Sequence, residues 1–126
     1  MSLRNANADN AHFCSASILN SLFLLTAAHC ITDLNLKADQ IRTHAGEYKL
    51  NENDANEQVR NVSRIILHGG WNESSTSYDN DIAILLLDRP LVFDRYTRPI
   101  GIAKGGEMWT SKLANISVTK LICNCQ

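Results

Sequence analysis

The sequence predicts an all-β domain, and its segment lengths, its size and its turn residues carry that prediction. Short apolar segments alternate with polar clusters along the chain, a rhythm typical of antiparallel strands joined by turns. The 126 residues, 44% apolar and 20% charged, amount to one domain with enough apolar surface for a single core. Two prolines and six glycines, with no repeat or linker, exclude collagen-like and low-complexity sequence.

Charge and hydropathy exclude several classes of partner. The net charge is −1 and no basic block is present, so we predict no binding to nucleic acid or to an anionic membrane surface. No apolar run approaches the roughly 20 residues needed to span a bilayer. Residues 1–11 lack the apolar stretch of a secretory signal peptide.

The first elements predicted along the chain are a hairpin and a short helical turn. Residues 13–19 and 22–26 are apolar segments separated by Asn20 and Ser21, a hairpin spacing without a glycine at the turn. Residues 27–30 lack β-branched side chains, which favours a helical turn.

The later segments add further strands. Residues 40–47 and 58–68 are predicted strands that flank the polar stretch 51–56. Residues 82–87 form a continuous apolar run, which predicts a strand buried on both faces, although a helix segment has the same signature. Residues 113–123 are a final candidate strand.

His29 and Asp81 are the candidate catalytic residues. His29 lies between small residues and Cys30, and Asp81 directly precedes the apolar run. A carboxylate that enters a core needs a hydrogen-bond donor, and an imidazole N–H is the donor that also fixes the tautomer for proton transfer. Each residue alone has a simpler interpretation, a structural or surface histidine and a turn-capping aspartate. Because His29 and Asp81 each stand within a longer segment of matching pattern, the pair favours a catalytic role.

Two segments carry a family resemblance. HFCSASILNSLFLLTAAHC (residues 12–30) and YDNDIAILLLDRPL (residues 78–91) resemble the trypsin/chymotrypsin-type serine proteases. The resemblance implies the first antiparallel Greek-key β-barrel of the double-barrel fold, incomplete at its first strand. It also implies that His29 is the general base and that Asp81 orients it. A Cys14–Cys30 disulfide would clamp the histidine loop, worth about 3 kcal/mol by loop length.

The third member of the catalytic triad departs from the family pattern. In the family template the nucleophilic serine follows the aspartate by about 90 residues, whereas 45 residues follow Asp81 here, which is 126 − 81. Ser111 and Ser117 have no adjacent glycine, and no Gly-Asp-Ser-Gly-Gly segment is present. We therefore predict that the nucleophile is absent and that the chain alone is inactive.

The resemblance divides the chain into three parts. Residues 1–11 are interpreted as a non-family or truncated N-terminus, residues 12–103 as the first barrel, and residues 104–126 as an interbarrel linker and the start of the second barrel. A shortened first strand would leave an open barrel edge, through which copies could associate. Cys123 and Cys125 are expected to be unpaired or intermolecular, because their spacing does not fit zinc.

The acidic segment between residues 47 and 57 is a candidate calcium loop. Its spacing resembles that of the trypsin calcium loop, with Glu47, Asp54 and Glu57 as side-chain ligands. The alternative is a solvated polar hairpin without metal. No other cofactor is expected.

Three Asn-X-Ser sequons bear on cellular location: Asn61-Val62-Ser63, Asn72-Glu73-Ser74 and Asn115-Ile116-Ser117. About 1.8 such matches are expected by chance from the composition, so their number alone is weak evidence for secretion. Family resemblance implies an extracellular protein.

The function implied by the resemblance is a serine-type endopeptidase that works by acyl transfer and meets protein or peptide substrates or inhibitors. Two alternatives stand beside it: a non-catalytic protein-binding pseudoprotease module, and one half of a split protease.

Overall fold

The computed structural model describes residues 1–49 and 54–103, and nearly all regular structure in these ranges is antiparallel β. Two short helical segments complete it among these residues, α1 (His29–Thr32) and a 3₁₀ helix (Ala38–Gln40). The strands are β1 (Ser2–Asn5), β2 (Ala11–Ser15), β3 (Ser17–Ile18), β4 (Phe23–Thr26), β5 (Ile41–Ala45), β6 (Gln58–Leu67) and β7 (Ala83–Leu87). The all-β prediction is confirmed.

The seven strands form one sheet that curls into a nearly closed barrel. Its order is β2-β1-β5-β6-β7-β4-β3, with every neighbouring pair antiparallel. The two end strands, β2 and β3, are consecutive in the chain and joined by Ala16, whose N–H donates to the Met1 carbonyl at 3.0 Å. The Thr26 hydroxyl on β4 donates to the Ser15 carbonyl at 2.9 Å, which ties the ends together.

The predicted hairpin contains β3 and β4, and Asn20 explains its turn. Its first predicted arm, residues 13–19, is however divided between the end of β2 and β3. Ser17 pairs with Leu25 and Ile18 with Leu24. The Asn20 side-chain oxygen accepts hydrogen bonds from the backbone N–H groups of Leu22 and Phe23, both at 2.9 Å. An asparagine side chain thus organises the turn without a glycine.

The barrel interior is filled by leucine and isoleucine from several strands. Leu3, Leu24, Ile41 and Leu85 have no exposed surface, and they come from β1, β4, β5 and β7. Truncating one such leucine to alanine costs about 2–5 kcal/mol in typical cores.

The prediction that residues 82–87 are buried on both faces is wrong in part. The segment is a strand, β7, but its burial alternates: Ala83, Leu85 and Leu87 are buried, whereas Ile84 and Leu86 are half-buried. In a barrel wall one face points inward and the other outward, so the second set of apolar side chains is only partly covered.

A strand that the sequence analysis did not assign lies within residues 1–11. β1 pairs with β2 on one side and with β5 on the other, and it occupies the place where an open edge was expected. Its composition gave little signal, because Leu3 is its only apolar residue. Backbone pairing on both sides outweighs this weak local preference. The boundaries at residues 11 and 103 stay predictions.

Several predictions lie outside the described residues: the candidate strand 113–123, Ser111, Ser117, and the state of Cys123 and Cys125. Within residues 1–49 and 54–103, no helix has the length and apolar character needed to cross a bilayer.

Candidate active site

His29 is the first residue of α1 and is held there by a disulfide. β4 ends at Thr26, and after two alanines the chain enters the helix, where the N–H of Ile31 donates to the Ala28 carbonyl at 3.0 Å. Cys30 is bonded to Cys14 on β2, with a Cα–Cα distance of 6.1 Å, so the predicted pairing is confirmed. The clamp fixes the helix that carries His29 to the barrel wall.

Asp81 lies two residues before β7, and sheet pairing brings it to His29. Thr26, the last residue of β4, pairs with Ala83, the first residue of β7. The segment after β4 and the segment before β7 therefore leave the barrel at the same place. Asn80 turns the chain just before Asp81 with a φ of 60°, a conformation that asparagine tolerates better than most residues.

The two candidate residues form a direct, two-point contact. His29 Nδ1 lies 2.6 Å from Asp81 Oδ2, and the backbone N–H of His29 donates to Asp81 Oδ1 at 2.8 Å. The carboxylate thus binds both the ring and the backbone that carries it. The side chain of Asp81 is 15% exposed and that of His29 is 40% exposed, so the pair sits at the barrel surface with its carboxylate turned inward.

The contact with Asp81 leaves Nε2 as the accepting nitrogen of the neutral ring. A proton on Nδ1 satisfies the carboxylate, so the lone pair of neutral imidazole is on Nε2. Among the described residues, the only recorded approach to Nε2 is Cys30 Sγ at 3.9 Å, and a disulfide sulfur carries no proton. Nε2 is therefore open to accept a proton from another group.

The pKa of Asp81 lies below its ordinary value despite burial. Removal from water alone would raise it, but hydrogen bonds from the His29 backbone and side chain, attraction to the imidazolium, and a hydrogen bond from the Ala28 backbone together lower it. The arrangement favours the ionised carboxylate, the form that orients and stabilises a protonated histidine.

Tyr78 is a neighbour of His29 that sequence reasoning did not single out. The two rings meet edge to face, with centroids 6.0 Å apart and planes at 76°. Tyr78 is 74% exposed, so its ring lies at the surface beside the histidine. Its position three residues before Asp81 was the available signal, but sequence alone does not show that the loop folds back onto the ring.

Comparison with known proteins identifies the family. Residues 1–119 match the family described as Trypsin. The chain belongs to the trypsin family. Trypsin-family proteins are serine proteases, so the resemblance seen in the sequence is confirmed at the level of the family.

Three relatives match this chain over part of their own length. Coagulation factor IX of Cavia porcellus is 42% identical over 97 residues, which cover 77% of this chain and 33% of that protein. Coagulation factor IX of Oryctolagus cuniculus is 45% identical over 91 residues, covering 72% and 32%. Trypsin zeta of Drosophila erecta is 40% identical over 86 residues, covering 68% and 29%. The chain thus spans about a third of the length of these relatives.

The carboxylate cluster (Glu47, Asp54 and Glu57) lies on the segment that joins β5 to β6. Glu47 pairs with Arg4 of β1, and Glu57 pairs with His44 of β5. Asp54 Oδ2 accepts a hydrogen bond from the backbone N–H of Tyr48 at 2.7 Å. Arg4 and His44, which sequence reasoning did not place at this site, therefore pair with two of the three acids.

Glu47 retains features that fit a bound cation. Its side chain is 5% exposed, and its Oε2 is buried without a hydrogen-bond partner in the described residues. Burial raises the pKa of Glu47, the Arg4 charge opposes this, and the negative charges of Glu57 and Asp54 add to the rise. A hard cation would relieve both the orphaned oxygen and the crowded charge.

The described residues do not bring the three acids into a preformed ligand set. The only group of three metal-ligating side chains that lie together in these ranges is Cys14, His29 and Cys30. Both cysteines of that group are in the disulfide, so it has no thiolate to offer a metal.

Proposed function

We propose that this chain carries the proton-transfer machinery of a serine endopeptidase, with His29 as general base and Asp81 as the residue that orients it. The observation that carries the proposal is the two-point contact, in which Asp81 binds both Nδ1 and the backbone N–H of His29. Such a contact fixes ring position and tautomer together, which general-base catalysis requires.

The reaction begins when a serine hydroxyl attacks the carbonyl carbon of a peptide bond. His29 Nε2 takes the hydroxyl proton as the serine oxygen forms its bond to carbon, and the imidazolium is stabilised by Asp81. His29 then gives the proton to the departing amine, which leaves an acyl-enzyme. Water then attacks the acyl-enzyme: His29 takes a proton from the water and afterwards returns it to the departing serine oxygen. Asp81 stays ionised throughout, consistent with its lowered pKa.

None of residues 1–49 and 54–103 is proposed as this serine. The sequence contains no serine next to a glycine, which supports the proposal that the family's nucleophile segment has no counterpart in these 126 residues. We therefore expect the chain alone not to hydrolyse peptides. A fluorophosphonate probe tests this directly, and stoichiometric labelling of Ser111 or Ser117 would contradict it.

We further propose that the substrates or inhibitors are proteins or peptides and that the protein works outside the cell. The trypsin-family match and the similarity to proteins named coagulation factor IX support both points. The Cys14–Cys30 disulfide adds independent support, because such bonds persist in oxidising compartments.

A chimera tests the proposed catalytic role. Residues 1–103 are joined to the remaining protease sequence of rabbit coagulation factor IX, and hydrolysis of a set of peptide amides is measured. We expect hydrolysis that is abolished by His29→Ala. A chimera that folds, judged by circular dichroism and a cooperative melt, but hydrolyses no peptide would contradict the proposal.

A second measurement needs no chimera. In the full chain labelled with nitrogen-15, we expect His29 Nδ1 to carry the proton, with a strongly downfield resonance from its short charge-assisted bond to Asp81. A His29 ring protonated on Nε2 instead would contradict the assigned tautomer.

Two alternative functions are a non-catalytic binding module and one half of a split protease. Mixing the chain with a separately expressed half that bears the serine distinguishes them, because only a split protease would gain activity.

We also propose a structural Ca²⁺ at the carboxylate cluster, held by Glu47, Asp54 and Glu57. The support is the buried Oε2 of Glu47, which has no hydrogen-bond partner among residues 1–49 and 54–103, and the raised pKa of that residue. The ion would add positive charge to that of Arg4 at the cluster and would brace the connection between β5 and β6.

A further inference from the structure

Two of the three Asn-X-Ser sequons lie in the described residues, and their surroundings differ. Asn61 is in the middle of β6, whereas Asn72 is in the connection between β6 and β7. The third, at Asn115, is outside the described residues. Both described asparagines are exposed, so exposure alone does not separate them.

Asn61 is fixed by hydrogen bonds of its backbone and side chain. Its Nδ2 donates to Asp88 Oδ2 at 3.1 Å, and its carbonyl accepts from the Asp88 N–H at 2.9 Å. The Ser63 hydroxyl of the same sequon donates to the Leu86 carbonyl at 3.1 Å. Both functional groups of this sequon are therefore engaged in an extended strand.

Asn72 has the opposite environment. Its side-chain oxygen accepts a hydrogen bond from the Ser74 N–H at 3.0 Å, and its carbonyl accepts from the Ser75 N–H at 3.1 Å. Within residues 1–49 and 54–103, no hydrogen bond engages Asn72 Nδ2 or the Ser74 hydroxyl. Every residue from 72 to 80 is exposed. The sequon is thus folded into an Asx turn with its amide nitrogen and hydroxyl facing water.

The Asx turn is local, which matters for the timing of modification. Its bond joins residues two positions apart, so a chain that has not yet closed its barrel can form it. The segment around Asn61 instead favours an extended chain, since Val59 and Val62 are β-branched. The difference between the two sequons therefore exists before the tertiary fold is complete.

From these contrasts we infer that Asn72 is an N-glycosylation site and that Asn61 is not. The reaction joins Asn72 Nδ2 to the anomeric carbon of an oligosaccharide carried on a polyprenyl diphosphate. The bond between that carbon and the diphosphate oxygen breaks, the lipid diphosphate leaves, and one amide proton passes to the transferase. The site lies outside the His29–Asp81 contact, so the inference is independent of catalysis and depends only on passage through the secretory pathway.

The test uses the full chain translated behind a secretion leader in the presence of microsomes. Treatment with peptide-N-glycosidase F in water enriched in oxygen-18 converts each glycosylated asparagine to a heavy aspartate that peptide mass spectrometry locates. We expect the label at Asn72 and none at Asn61. Translocated chain with unlabelled Asn72, or with Asn61 labelled as fully as Asn72, would overturn the inference.

Variants provide a second readout by mobility on a gel. Asn72→Gln and Ser74→Ala are expected to remove one glycan, whereas Ser74→Thr keeps it. Asn61→Gln is the matched control and is expected to leave the pattern unchanged, while its loss of a glycan would overturn the inference. No readout requires peptide hydrolysis, so failure here is separable from failure of the proposed protease function.

Discussion

Two residues before β7, Asp81 receives hydrogen bonds from the ring and the backbone of His29. Beyond the end of β5, the carboxylate of Glu47 lies near those of Asp54 and Glu57. Both sites join segments that are far apart in sequence. In the first, burial alone would raise the pKa of the acid, but hydrogen bonds and attraction from His29 outweigh it and the pKa falls. In the second, burial and neighbouring carboxylates prevail over Arg4, and the pKa of Glu47 rises.

The comparison shows that a buried acid acquires its chemical character from its partners. Asp81 is half of a complete arrangement, because each of its oxygens has a donor from His29. Glu47 is part of an incomplete one, because its Oε2 has no partner in the described residues. In the proposed roles, the first would stabilise a positive charge that forms during a reaction, and the second would bind a permanent one.

The largest expected effect is on catalysis. In the chimera with the factor IX sequence, Asp81→Asn is expected to lower kcat by about 10⁴-fold, because an amide favours the wrong tautomer of the histidine. Asp79→Asn is the matched control: Asp79 is an exposed acid two residues away that bonds the Ser77 hydroxyl. Steady-state kinetics at fixed pH make the comparison. Equal losses in the two variants would remove Asp81 from its proposed role.

The next effect is on stability. Replacing Cys14 and Cys30 together by alanine is expected to lower the free energy of unfolding by about 3 kcal/mol, since the bond closes a loop of 16 residues. Urea denaturation of the oxidised chain and of the double variant provides the measurement. If the bond acts mainly on the His29 helix, the Nδ1 proton resonance is lost in the variant while the His44–Glu57 contact persists.

Calcium should stabilise the protein by binding at the carboxylate cluster. At a concentration of 100 times Kd, binding to the folded state alone adds about 2.7 kcal/mol of stability. We expect a higher Tm in calcium than in EDTA, and we expect Glu47→Gln to abolish the difference. Asp33→Asn, a change in an acid at the end of α1, is the control. An unchanged Tm in wild-type protein across a calcium titration would argue for a polar hairpin without metal.

The smallest expected effects are on the pH dependence of stability, which Asp81 and Glu47 should change in opposite directions. The pKa of Asp81 is lowered from 3.8 in the folded state, so its stabilising contribution is present above that value and is lost as pH falls through the lower folded pKa. The pKa of Glu47 is raised from 4.5, so its contribution is present below that value and is lost as pH rises through the higher folded pKa.

Urea denaturation across the acidic range measures both contributions. Relative to wild type, Asp81→Asn should lose least stability at the lowest pH and most as pH rises. Glu47→Gln should change in the opposite direction and become relatively more stable as pH rises. Parallel pH profiles for the two variants would contradict the contrast between the sites.

The structural elements that could be predicted from sequence are those specified by contiguous residues. The β3–β4 hairpin, the strand after Asp81 and the short helix at His29 follow from local patterns, and the two family motifs supplied the partners of the disulfide. A family motif supports prediction because many adjacent residues are specified together.

The parts missed depend on contacts between distant residues with little local signal. β1 contains one apolar residue and is stabilised by strands on both sides. Arg4 and Glu47 are 43 residues apart, and nothing near either residue specifies the other. Tyr78 is close to Asp81 in sequence, but its approach to His29 depends on how an exposed loop folds back.

The antiparallel pairing of β4 with β7 makes the contact between His29 and Asp81 depend on the closure of a long loop. His29 and Asp81 are 52 positions apart, so a long loop must close before the carboxylate reaches the ring. Until then the imidazole is an ordinary one, with neither tautomer nor orientation imposed. An unfolded chain therefore holds this imidazole without the Asp81 carboxylate beside it, and the contact forms only when β4 and β7 have paired.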